Sequence, residues 1–99
     1  MGERARILVV DDDESIRKTL ATILGDEYIV DTAENGKEAI ARSNARSYNL
    51  ALIDIRLPDM EGTELLSKIR DTTPRMRTII ITGYPTNPNA IEAVNRRAD

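Results

Sequence analysis

Ninety-nine residues, 40% of them hydrophobic, suffice for one domain whose core must be built from Ile, Leu, Val and Ala, because three Tyr are the only aromatic residues. With no Cys and no His, thiolate chemistry, disulfides and the usual general base are excluded, which leaves carboxylates and oxygen ligands suited to hard cations such as Mg²⁺. A net charge of −3 offers no basic footprint for direct nucleic-acid binding. No apolar run approaches the ~20 residues of a membrane span, and the chain starts without a long apolar leader, so a soluble, cytoplasmic protein away from the membrane is expected.

Two kinds of segment alternate along the chain. Ile7-Leu8-Val9-Val10 is a continuous apolar run that stops at three Asp, the pattern of a strand buried on both faces in a parallel sheet. From Asp13 to Leu24 the period becomes helical, with Asp13 as N-cap, Gly25 as the stop, and Ile16, Leu20, Ile23 and Leu24 on one face. Tyr28 to Ala33 reads as a second strand, less buried because Asp31 interrupts it, and Asn35-Gly36 opens a helix carrying Ala39, Ile40 and Ala41. Leu50-Ala51-Leu52-Ile53 is a third strand, closed by Asp54, and Leu65, Leu66 and Ile69 mark a helix that ends before Pro74. Thr78-Ile79-Ile80-Ile81 is a fourth strand, closed by Thr82-Gly83, and Ala90, Ile91 and Val94 follow on a short amphipathic helix. Four strand-then-helix units predict right-handed crossovers and a doubly wound α/β domain with a parallel sheet.

In an open α/β sheet, ligands bind beyond the carboxyl ends of the strands. The residues just past those ends are Asp11 and Asp12, Asp54, and Thr82, so polar groups from three strands are expected on one edge. Clustered carboxylates repel one another unless a cation joins them, and Mg²⁺ is commonly held by one or two carboxylates together with a phosphate. A carboxylate can itself accept a phosphoryl group, a reaction in which the protein mainly positions groups and offsets charge. Asp54 then serves as acceptor, Asp11 and Asp12 as metal ligands, and the Thr82 hydroxyl as a donor to phosphoryl oxygens. Asp13 and Glu14 suit the helix N-terminus instead.

Three segments carry a resemblance. Ile7-Leu8-Val9-Val10-Asp11-Asp12-Asp13-Glu14, Leu52-Ile53-Asp54-Ile55-Arg56-Leu57-Pro58-Asp59-Met60-Glu61-Gly62 and Ile79-Ile80-Ile81-Thr82-Gly83-Tyr84 resemble the receiver domain of two-component response regulators. The resemblance covers essentially the whole chain and implies a flavodoxin-like three-layer sandwich. By position it implies that Asp54 is phosphorylated by a histidine kinase and that Asp11, Asp12, Asp54 and the Arg56 backbone carbonyl bind Mg²⁺. It further makes Thr82 the switch hydroxyl, and puts the Arg56 and Tyr84 side chains where the family tunes dephosphorylation. The family pattern has strand order 2-1-3-4-5, whereas this chain ends at Asp99, where the fourth helix should finish. The expected sheet is therefore 2-1-3-4, an incomplete receiver over residues 1–99 without the fifth strand and helix or the Lys that pairs with the phosphate. Lys18, Lys37 and Lys68 all fall on predicted helices. An edge strand bearing Ile79, Ile80 and Ile81 tends to recruit another chain, so a homodimer through strand four and the fourth helix is expected.

Two other classes stand beside this one. A non-switching interaction module would keep the fold without taking up phosphate. A phosphohydrolase of the haloacid dehalogenase type needs a second Asp two residues after the nucleophile, where this chain has Arg56.

Overall fold

The computed structural model describes residues 4–81. Within them four strands, β1 (Arg6–Val10), β2 (Ile29–Ala33), β3 (Leu50–Asp54) and β4 (Arg77–Ile81), alternate with three helices, α1 (Glu14–Leu24), α2 (Gly36–Ala45) and α3 (Gly62–Thr72). All strand pairings are parallel, as the alternation predicts, and the strand order is β2-β1-β3-β4, as the resemblance implies. Thr82, Gly83, Tyr84 and the helix expected around Ala90, Ile91 and Val94 lie outside the described residues. No described helix is long and apolar enough to cross a membrane.

The continuous apolar run of β1 is explained by its place between β2 and β3, where both faces are covered. On one face, Leu8 and Val10 pack with Ala51 and Ile53 of β3, Ile80 of β4, Ala39 of α2, and Leu65 and Ile69 of α3. Leu8, Ile53, Leu65 and Ile69 are almost wholly buried, and each contributes about 1.5–3 kcal/mol by leaving water. Strand alternation turns Ile7 and Val9 to the opposite face, where α1 lies against β1 and β2. β2 is the more exposed edge, and its Asp31 is satisfied by the Tyr48 hydroxyl, which donates at 2.6 Å.

The face expected for α1 needs one correction. Ile16, Leu20 and Leu24 are half-buried, but Ile23 is 65% exposed, so the stripe against the sheet follows the i, i+4, i+8 row and excludes the residue beside Leu24. The capping signals hold better. The Asp13 side chain accepts from the Ser15 and Ile16 amides, and Gly25 closes the helix with its amide on the Ala21 carbonyl. Gly25 does so in right-handed geometry (φ −65°), without the left-handed turn that glycine often supplies at this position. α2 likewise starts where Asn35 accepts from the Glu38 amide at 2.7 Å.

β4 is an outer strand of the described sheet, with Thr78 and Ile80 buried and Ile79 and Ile81 half-buried.

Candidate metal centre

Strand ends build this site. β1 finishes at Val10, and the chain turns into α1 through Asp11 and Asp12. β3 runs alongside with Val10 opposite Ile53, which brings Asp54 to the same level. One carboxylate oxygen from each of Asp11, Asp12 and Asp54 lies within 4.8 Å of the other two. Asp11 is 2% exposed, Asp54 half-buried and Asp12 exposed, so the cluster is open to solvent on one side.

The local backbone fixes these groups. Asp11 Oδ1 accepts from the Asp13 amide at 2.9 Å, and the Asp11 carbonyl accepts from Arg17 Nη1 at 2.8 Å, which ties the acidic turn to the first turns of α1. The Asp54 carboxylate accepts from the Arg56 amide at 3.3 Å. Burial pushes the carboxyl groups of Asp11 and Asp54 above the ordinary carboxylate range, and neighbouring Asp charges push the same way. This donor set fits a hard divalent cation: all oxygen, negatively charged, closely spaced and wet on one side.

The loop after Asp54 is braced by contacts that no local pattern in the sequence signals. Arg56 and Glu61 form an isolated antiparallel backbone bridge, the Leu57 amide donates to the Met60 carbonyl, and the Gly62 amide donates to the Ile55 carbonyl at 2.8 Å. Asp59 reaches the N-terminus of α2, accepting from the Gly36 amide at 2.8 Å and the Lys37 amide at 2.9 Å. These bonds and the dipole at that helix end hold the Asp59 carboxyl below its usual range. Asp59 and the helix start it caps are 23 residues apart in the chain, so neither segment alone signals the contact.

Gly62 is needed for close approach rather than for an unusual dihedral. A Cβ there would overlap the Asp54 backbone carbonyl and meet the backbone of Ile55. Gly62→Ala is therefore expected to lower stability by about 1–3 kcal/mol, as overpacking does, and a urea titration would show it as a lower midpoint.

The structure thus brings Asp11, Asp12 and Asp54 together and puts Arg56 two residues on, side chain exposed, in the loop that follows. Thr82 lies outside the described residues; the residue before it, Ile81, pairs with Asp54 across the β3–β4 register. Lys18 and Lys68 sit on α1 and α3 in ion pairs with Glu14 and Glu64, and Lys37 is in the first turn of α2.

A parallel sheet of this order with an acidic trio beyond β1 and β3 defines an α/β domain of the doubly wound, receiver-like class. The sequence matches the family model for the response regulator receiver domain over residues 7–99, and the chain belongs to that family of two-component signalling domains. It is 38% identical over 98 residues to the transcriptional regulatory protein ZraR of Klebsiella oxytoca, covering 98% of this chain and 22% of that protein. The chain thus spans about a fifth of the length of that relative. Among solved structures, a CheY-like receiver domain protein from Methanospirillum hungatei JF-1 superposes with a TM-score of 0.83 at 43% identity, over 98% of this chain and 78% of that one. The response regulator TrrA of Thermotoga maritima, in complex with Mg²⁺-BeF, gives 0.79 at 35% identity, over 96% and 82%.

Proposed function

We propose that this chain is a phosphoacceptor that takes a phosphoryl group on Asp54 from a histidine kinase. The observation that carries the reading is the convergence of the Asp11, Asp12 and Asp54 carboxylates within 4.8 Å beyond the ends of β1 and β3. An Asp54 carboxylate oxygen attacks the phosphorus of a phosphohistidine. The new O–P bond forms as the P–N bond breaks, and the imidazole leaves with that electron pair and takes up a proton.

Asp11, Asp12 and Asp54 would hold Mg²⁺ with the Arg56 backbone carbonyl. When bound, the cation offsets the charge of the carboxylates and of the incoming phosphoryl oxygens. The protein's own share is positional. The turn at Asp11–Asp13 and the brace from Ile55 to Gly62 keep the acceptor and its neighbours in place before the donor arrives. Thr82, from the motif that follows β4, supplies the hydroxyl that hydrogen-bonds the phosphoryl group. The chain works as one receiver unit over residues 1–99 in the cytoplasm, where kinases make phosphohistidine from ATP. Its output is a changed surface, not a released metabolic product.

The reading is tested by mixing the chain and Mg²⁺ with a kinase domain carrying labelled phosphohistidine. Label should move to the chain in a hydroxylamine-labile form and stay on the kinase when Asp54→Ala is used. Transfer to Asp54→Ala at the original rate would overturn the assignment.

The chain also pairs with a second copy through β4 and the helix expected after it. β4 is an outer strand of the described sheet, and half-buried Ile79 and Ile81 give it the apolar side chains that favour added pairing. Sedimentation at micromolar concentration is expected to find a dimer, and a purely monomeric profile contradicts this.

A further inference from the structure

Three arginines meet at the pole of the sheet opposite the carboxylates. Arg4 precedes β1, Arg6 opens it, and Arg46 caps the C-terminus of α2. Together with Ser47 and Asn49 they line a solvent-open cavity of about 550 Å³, and no acidic residue is among its described lining. Arg6 stands five residues before Asp11 along the strand direction, which separates the two sites by roughly 16 Å.

The cavity has a fixed wall. The Arg6 amide donates to Asn49 Oδ1 at 2.8 Å, and the Asn49 amide donates to the Arg6 carbonyl at 2.9 Å, so the starts of β1 and β3 are locked together there. Arg6 Nη1 is buried and, among the described residues, has no hydrogen-bond partner. A buried guanidinium nitrogen without an acceptor costs free energy, which the side chain relieves by turning toward one.

Ordinary surface pairing does not explain the arrangement. The ion pairs among the described residues are Glu14–Lys18, Glu38–Arg42 and Glu64–Lys68, and none involves these arginines. Helix dipoles account for Arg42 and Arg70 in the last turns of α2 and α3, and for Arg46 at the C-cap. They do not account for Arg4 and Arg6, which lie before and at the start of a strand. The same dipole ends carry about half a charge each, less than the three full charges facing the cavity.

We infer that this cavity binds a diphosphate group, either free pyrophosphate or the diphosphate of an organic ester. A diphosphate brings close to three negative charges at neutral pH and pairs of oxygens spaced for guanidinium forks, which matches three arginines better than a single monoanion does. This site is independent of the acceptor chemistry at Asp54.

The test is titration calorimetry of the whole chain, in EDTA so that the acidic pole plays no part, with inorganic pyrophosphate and separately with a nucleoside diphosphate. Saturable binding with a Kd of about 1 mM or tighter is expected for at least one probe. Arg6→Gln should weaken it about tenfold or more. The double change Arg4→Gln with Arg46→Gln should do the same, and because both of those side chains are exposed it leaves the fold intact. Tighter binding of the nucleoside diphosphate assigns the site to an organic ester, and equal or weaker binding assigns it to the free anion. Absence of saturable binding by both probes overturns the inference, as does binding indifferent to the double change.

Discussion

Adding Mg²⁺ at neutral pH is expected to stabilise the chain by about 1.4 kcal/mol when the ion is at ten times its Kd, a melting-temperature rise of roughly 5–10 °C. Asp11→Ala and Asp12→Ala should each remove most of that rise, because each deletes one of three closely spaced donors. The pH dependence follows from the shifted carboxyl groups. Asp11 and Asp54 have their pKa raised above 3.8 by burial and by neighbouring acids. Without metal, both are protonated in folded and unfolded chains at low pH. As pH rises the unfolded chain ionises first, so the stability these groups give below the unfolded pKa is lost as pH climbs through the raised folded values. Mg²⁺ needs the ionised forms, so its stabilising effect should grow over that same interval and vanish near the acid end. Asp59 acts in the opposite sense. Its lowered pKa gives stability that is present above the unfolded value and lost as pH falls through the folded one. Thermal melts from acid to neutral pH, with and without Mg²⁺, check both signs. A rise of equal size at every pH would contradict the carboxylate site.

The second large effect concerns the core behind the site. Ile53→Ala is expected to cost about 2–5 kcal/mol, because Ile53 is fully buried between Val10 of β1 and Ile80 of β4 and its removal leaves a cavity. A domain of this size has only about 5–15 kcal/mol of total stability, so the variant should be partly unfolded near body temperature. Ile23→Ala removes as many atoms from a side chain 65% exposed and should change stability by no more than about 0.5 kcal/mol. Urea midpoints of the two variants give the comparison, and similar losses would contradict the burial pattern.

That contrast also marks where the sequence is readable and where it is not. Ile7 to Val10 and Leu50 to Ile53 are unbroken apolar runs ended by Asp, and such runs identify buried parallel strands and their ligand-side ends without any knowledge of contacts. The trio Asp11, Asp12 and Asp54 was legible for the same reason, since the order of parallel strands puts the acids on one edge. Helical spacing alone could not rank Ile23 against Leu24, because the contact stripe of α1 is narrow and depends on how the helix sits over β1 and β2. The capping of α2 by Asp59, and the fit of Gly62 against the Asp54 carbonyl, are contacts between segments that composition and period do not encode. The arginine cavity escaped for the same reason. Arg4 and Arg6 are distant in sequence from Arg46 and meet only once β1 has been laid beside β3.

Intact mass of the chain after incubation with Mg²⁺ and a small acyl-phosphate donor tests the central claim most directly, with Asp54→Ala run beside it. A gain of one phosphoryl group that disappears in the variant is the expected result, and it would place the acceptor at the junction of β3 with the loop that follows. No gain in a chain shown by circular dichroism to be folded, or an equal gain in Asp54→Ala, would contradict the phosphoacceptor account.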